Sequence, residues 1–356
     1  GEGHSVGIPQ PDDMFCSTCH PSTMSQEYDI SIPGAHTVDY LSTQLPGVLI
    51  RLLGIRDTAP GMTPTVTFDL RSKNGAMKPG DLGRLRLSIA GPNDDYMYNS
   101  GLEDVIGKST KVDGLWEYTF EWAIPDDAEG SYTLGAEGRV NEVLINEGQP
   151  NEFGMRDQAE NPTLAFAIGA EATPADAHGA VPRRMVVTDQ QCEACHGSLS
   201  LHGDNRHGTD YCVTCHSPAA TDEDERLEGA PESIHMKYMV HKIHRGEELE
   251  RGYVVAGHNN SVHDYSHVIY PGDLRTCETC HVDDSHLLPL PDGLLDTITN
   301  WDFFTPTQPI AAACLSCHDG QDAAAHAETM TASFGESCGA CHGEGKEASV
   351  SMVHAH

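Results

Sequence analysis

The unit Cys-x-x-Cys-His occurs six times, at residues 16–20, 192–196, 212–216, 277–281, 314–318 and 338–342. All 12 cysteines of the chain belong to it: Cys16, Cys19, Cys192, Cys195, Cys212, Cys215, Cys277, Cys280, Cys314, Cys317, Cys338 and Cys341. No feature constrains the fold more. Two thiols at this spacing add to the two vinyl groups of one porphyrin, and the next residue places an imidazole under the iron. The pattern predicts six covalent c-type haems (haem c, with iron), with His20, His196, His216, His281, His318 and His342 as proximal ligands. A disulfide scaffold has no use for a histidine after every second cysteine. Zinc ribbons use two Cys pairs per metal without that fixed histidine, and a thioredoxin-like pair occurs once.

Five units crowd into 192–342 and one stands alone near the N-terminus. Where haems are this dense, the porphyrins supply much of the core, so little hydrophobic periodicity is expected. Only short helical pieces read there, PESIHMKYMVHKIHRGEEL (231–249) and AAAHAETMTASF (323–334). The stretch between is cysteine-free and reads differently. VLIRLLGI (48–55), TVTFDLRS (65–72), RLRLSIAG (84–91), LWEYTFEWAI (115–124), SYTLGAEGRV (131–140) and TLAFAIG (163–169) alternate apolar and polar residues between turn signals, as strands of an immunoglobulin-like sandwich do. No histidine lies between His36 and His178, so this part is expected to hold no haem and to serve packing, spacing or partner contact. The predicted fold is multidomain: an N-terminal single-haem segment (1–44), an Ig-like antiparallel β-sandwich (45–172), and a loop-rich, sparsely helical multihaem c-type cytochrome domain (173–356).

The formal charge is −33, which disfavours nucleic acid and anionic membranes as partners. The run TDEDE (221–225) reads as a solvated loop. No apolar run reaches the roughly 18 residues a transmembrane helix needs. The opening GEGHSVGIPQPDD lacks the basic and apolar regions of a secretory leader and reads as the start of a processed chain; no spare cysteine is there for a lipid anchor. Covalent haem attachment takes place outside the cytoplasmic membrane, so an exported protein of the outer surface or extracellular space is expected.

Of 21 histidines, six are proximal, and 21 − 6 = 15 remain for six distal positions. Bis-histidine ligation at every iron is therefore affordable. Such low-spin haems have no open site and carry electrons rather than activate substrates, so no catalytic residue is assigned. His241 and His244 in MVHKIH share a helix face and could serve two adjacent haems. His202 is too close to His196 to wrap its own haem and is expected to reach a neighbour. His326 is a similar candidate, His207 is undecided between ligand and spectator, and His354 and His356 could fold back from the chain end. For the first haem His36 leads, with His4, His178 and the insert histidines His258, His263 and His267 as alternatives. Met14 and Met24 read as packing. The insert also reads as a flexible polar loop or a small non-haem metal site.

The tract CEACHGSLSLHGDNRHGTDYCVTCHSP, followed by MVHKIHRG, YPGDLRTCETCH, CLSCH and CGACHG, resembles one pentahaem domain of the outer-surface metal-reducing cytochromes of the OmcA/MtrC family. TAPGMTPTVTFDLRSKNG, LSIAGPNDDY and IPDDAEGSYTL resemble the β-domain that precedes it. The resemblance covers about 45–356. It implies extracellular electron transfer through closely spaced bis-His haems, with His202, His241, His244, His326 and the His354/His356 tail as distal ligands. It also implies other multihaem cytochromes and extracellular acceptors such as metal oxides as partners. The chain departs from the family's usual ten haems, from its frequent lipid anchor, and in the insert GHNNSVHDYSHVIYPGD. A haem at one end and five toward the other further suggest a head-to-tail filament of copies, a cytochrome nanowire. The contrasting expectation is a multihaem reductase of nitrite, hydroxylamine or a sulfur oxyanion with one open-coordinate haem.

Overall fold

The computed structural model describes residues 16–145, 152–301 and 306–355. The central part folds as two antiparallel sheets whose main strands are β1 (Leu49–Arg56), β2 (Thr65–Ser72), β3 (Arg84–Gly91), β4 (Leu115–Thr119), β5 (Ser131–Leu144), β6 (Phe153–Gln158) and β7 (Thr163–Ala167). One sheet runs β1-β2-β4 and continues to Thr110–Val112, with Gly75–Ala76 on β2. The other runs β6-β5-β3 and continues to Tyr98–Asn99, with β7 on β5 and Glu103–Asp104 on β3. Between them Phe68, Leu70, Leu85, Leu87, Ile89, Leu134 and Phe166 are fully buried.

The sequence reading placed these strands with two differences. The strand expected over 115–124 stops at Thr119: Phe120 N still donates to Pro64 O, but Pro64 has no N–H to return. β6 carries Arg156 and Asp157 amid few apolar residues, so its weak alternation concealed it.

β5 should be wet on alternate residues, yet Tyr132 to Gly138 are all buried. The reason is tertiary. Tyr132, Leu134 and Ala136 enter the sandwich core, while Gly135, Glu137 and Arg139 face the cytochrome domain, which lies on the outer side of this sheet. A Cβ on Gly135 would meet the Tyr211 ring at 2.6 Å. Only glycine allows that approach.

Outside the sandwich, helices are short: α1 (Asp189–His196), α2 (Met236–Arg245), α3 (Pro309–Leu315) and α4 (Gln321–Thr329) are the longest. Thr188 and Gln191 form a capping box on α1. The insert expected as a flexible loop contains a β-hairpin, β8 (Val254–Gly257) with β9 (Ser261–Asp264). The TDEDE run is not simply solvated either. Asp222 is buried, takes a two-pronged contact from Arg226 and accepts from the amides of Glu232 and Ala256; Arg226 also donates to Val254 O at 2.6 Å. One aspartate thus ties the hairpin to the domain. Among the described residues no helix is long and apolar enough to cross a membrane.

Candidate haem centres

Each attachment unit is one helical turn. The histidine amide donates to the first cysteine's carbonyl at 2.9 Å in the units of His20, His281, His318 and His342, and at 3.0 Å in that of His216; His196 closes α1. Residues i, i+3 and i+4 of a turn share a face, so both thiols and the imidazole meet one flat group. All twelve thiols are free.

Several of these imidazoles are oriented from behind. Nδ1–H donates to Ile30 O in His20 (2.6 Å), Ile234 O in His216 (2.7 Å) and Ala348 O in His342 (2.8 Å). In His281 it donates to Ser285 Oγ at 3.0 Å, a hydroxyl whose own proton goes to Val186 O. Such bonds select the tautomer with Nε2 free to bind a metal.

A second histidine faces the ring of each of the five Cys-x-x-Cys-His units of the C-terminal part. The ring centroids lie 5.9 Å apart for His216 and His202, 6.0 Å for His196 and His244, 6.0 Å for His281 and His241, 6.1 Å for His318 and His354, and 6.2 Å for His342 and His326. Metal–imidazole bonds of about 2.0–2.1 Å put two rings on opposite sides of one metal about 6 Å apart. The donor set and spacing therefore fit a six-coordinate haem iron. The facing rings are anchored in the same way: His241 Nδ1 on Ser316 Oγ (2.9 Å), His244 on Val240 O (2.8 Å), His354 on Val350 O (2.9 Å). Burial pulls His241 down to about 4. Burial, then Arg206, pulls His202 to about 4 as well, although its outer surface stays open. Both are neutral at pH 7, the form a metal needs.

The remaining candidates lie elsewhere. His36 is exposed, donates its Nδ1–H to Ile32 O at 2.6 Å, and is not among the paired rings. His178 pairs with Asp176 at 3.3 Å on the surface. His258, His263 and His267 are exposed on or beside the hairpin, and no group of three metal-binding side chains forms among the described residues. His207 is half-buried, its amide bound to Asn161. His4, Met14 and His356 lie outside the described residues. Two histidines escaped the sequence reading. His235 is buried against Thr297 Oγ1 and pushed to about 2 by burial. His286 touches the His281 ring at 5.7 Å, with Nε2 turned toward Glu278 at 3.8 Å. The five-residue gap His281–His286 was the available signal for the latter.

The units also adjoin one another. Cysteines of different units lie within electrostatic range of one another: Cys212 and Cys192, Cys192 and Cys280, Cys195 and Cys280, Cys277 and Cys317, and Cys314 and Cys338. Helix α2 serves two of them, with His241 toward the 277 unit and His244 toward the 192 unit. Between these, Lys242 forms a buried ion pair with Asp319 at 3.3 Å, beside proximal His318.

Repeated Cys-x-x-Cys-His turns, four with a hydrogen-bonded imidazole and five with an opposed second imidazole among the described residues, are the pattern of a multihaem c-type cytochrome. Residues 184–355 match the family described as outer membrane cytochrome MtrC/MtrF-like, domains II/IV. In structure the chain is similar to the outer membrane decaheme cytochrome OmcA at 20% identity and TM-score 0.52, covering 87% of this chain and 48% of that one. It is similar to MtrC from Shewanella baltica OS185 at 16% identity and TM-score 0.55, covering 94% and 57%. At these identities the likeness shows the fold, a β-sandwich joined to a haem domain, and the chain spans about half the length of each. No curated protein sequence matches the chain.

Proposed function

We propose that the chain carries six c-type haems and moves electrons outside the cell, at the outer surface or beyond it. The observation that carries this reading is the second imidazole opposite each of five proximal histidines at 5.9–6.2 Å. Iron held between two imidazoles has no position left for a substrate. The distal ligands are then His202 for the haem of His216, His244 for that of His196, His241 for that of His281, His354 for that of His318 and His326 for that of His342. The thiol neighbourhoods string these haems in the order 212, 192, 277, 314, 338, which gives a continuous path. The haem supplies the redox change. The protein fixes ring orientation and tautomer, and excludes exogenous ligands. Haem quantitation and electron paramagnetic resonance of the purified holoprotein test this: six haems per chain, all low-spin, are expected. A stoichiometric high-spin haem that binds small molecules would overturn it in favour of a reductase.

The finer reading is a head-to-tail polymer. His36 supports it: like His244 and His354, it holds Nδ1 on the carbonyl four residues back and turns Nε2 outward, but it does so on the surface. Such a ring suits either the first haem or an iron of a second copy. Uniform fibres by negative-stain electron microscopy are expected; particles that stay monodisperse at high concentration would remove the polymer and leave a discrete carrier that passes electrons to other multihaem cytochromes or metal oxides.

A further inference from the structure

Four of the five facing rings sit on helices or at a helix end, where the local ladder of backbone hydrogen bonds holds them: His241 and His244 on α2, His326 on α4, His354 after the turn Val350–Val353. His202 does not. It lies in a loop closed by Leu201 and Arg206, and His202, Gly203 and Asp204 have φ of 54°, 69° and 56° in succession. Two of these are not glycine, and a left-handed run of this kind persists only where surroundings over-determine it.

The surroundings that do so belong to the sandwich. Arg139 on β5 and Arg156 on β6 both donate through Nη1 to Gly203 O, at 2.8 and 2.6 Å. Arg156 also reaches Asp204 at 3.5 Å. Asn161 accepts from His207 N at 2.6 Å and donates to Asn205 O at 3.2 Å, closing the far side of the loop. Next to it Arg206 enters the fully buried Glu137, which Arg84 also contacts. Glu137 and Arg139 of β5, with Arg156 of β6 and Asn161 beyond it, thus grip the apex and the C-terminal end of this one loop.

We propose that the sandwich positions the sixth ligand of a single haem: Arg139 and Arg156, acting through Gly203 O, hold His202 opposite His216, and their removal makes that coordination position exchangeable. The inference rests on the reading that His202 and His216 share an iron. Arg139 and Arg156 touch no haem; they act through the loop.

The test is carbon monoxide uptake by the reduced, haem-loaded full chain, with high-spin ferric signal as the second readout. Wild type takes up none at these five haems. H202A, which removes the ligand itself, takes up a single molecule. R139Q/R156Q is expected to open the same site in a minority of molecules, on the order of 10%, with R139K/R156K restoring the closed state in part. G203A reaches the same end independently, because its Cβ meets Arg156 Nη1 at 3.0 Å in a backbone that disfavours side chains; it carries the test if the double variant folds poorly. If H202A opens the haem while R139Q/R156Q and G203A match wild type, the positioning role is wrong. If H202A itself takes up no carbon monoxide, His202 is not on the iron and both statements fall.

Discussion

At the scale of single residues, the chemistry depends on which nitrogen of an imidazole is occupied. Tying Nδ1 to a carbonyl or a serine leaves Nε2 for iron, and the chain does this at proximal and facing rings alike. The buried pair Lys242–Asp319 lies next in sequence to two of the paired rings, His241 and His318. Asp319 additionally accepts the amides of Glu250 and Arg251 at 2.9 and 3.0 Å. Lys242 lies near the Tyr238 and Tyr253 rings. Breaking such a pair leaves one charge uncompensated, at about 3–5 kcal/mol. K242M leaves the carboxylate and is expected to lower the reduction potentials of the adjacent haems, because ferric iron is favoured. D319N leaves the ammonium and is expected to raise them. Potentiometric titration of both variants checks this; shifts of the same sign would refute it.

At the scale of elements, the His-bearing hairpin depends on Asp222. Burial alone would raise this carboxyl, but Arg226 and the amides of Ala256 and Glu232 outweigh it and hold it below the ordinary carboxylate value. A group lowered on folding stabilises fully above its unfolded pKa of about 3.9 and loses that stabilisation as pH falls through the folded value. Denaturant titrations should therefore show D222N less stable than wild type at pH 7, by on the order of 3 kcal/mol, and the gap should close below about pH 4. A gap that stays constant in acid would mean that the charge of Asp222 is not what holds the hairpin.

At the scale of the whole molecule, the sandwich and the cytochrome domain share an interface of buried polar groups. Glu137 bridges Arg84, Arg206 and the Tyr211 hydroxyl. On the other flank, Asp95 takes Arg183 at 3.0 Å and the amide of Leu295 at 3.1 Å. These contacts tie the two parts together through buried charge. E137A leaves two arginines buried without their partner and is expected to cost about 3–5 kcal/mol. In calorimetry, the single transition should split or broaden as the domains uncouple. A sharp single transition at the wild-type temperature would show that Glu137 contributes nothing.

How much of this was legible in the sequence follows from range. A Cys-x-x-Cys-His unit needs only one helical turn, so six such turns could be named without a structure. The strands of the sandwich announce themselves by alternation, except β6 and the early stop of β4, where tertiary pairing outweighs local pattern. Which histidine faces which was only partly readable. His241 and His244 shared a helix, but their separate targets, the 277 and 192 units, depend on how α2 crosses segments dozens of residues away. The burial of Asp222 and the drying of both faces of β5 gave no clear local signal, since each is made by residues distant in the chain. The sequence by itself determined the six Cys-x-x-Cys-His turns, because each is a local piece of backbone structure. Tertiary structure alone decided which imidazoles stand opposite one another, because the rings of a pair are brought together by packing, and strands β5 and β6 of the sandwich hold the loop that carries one of them.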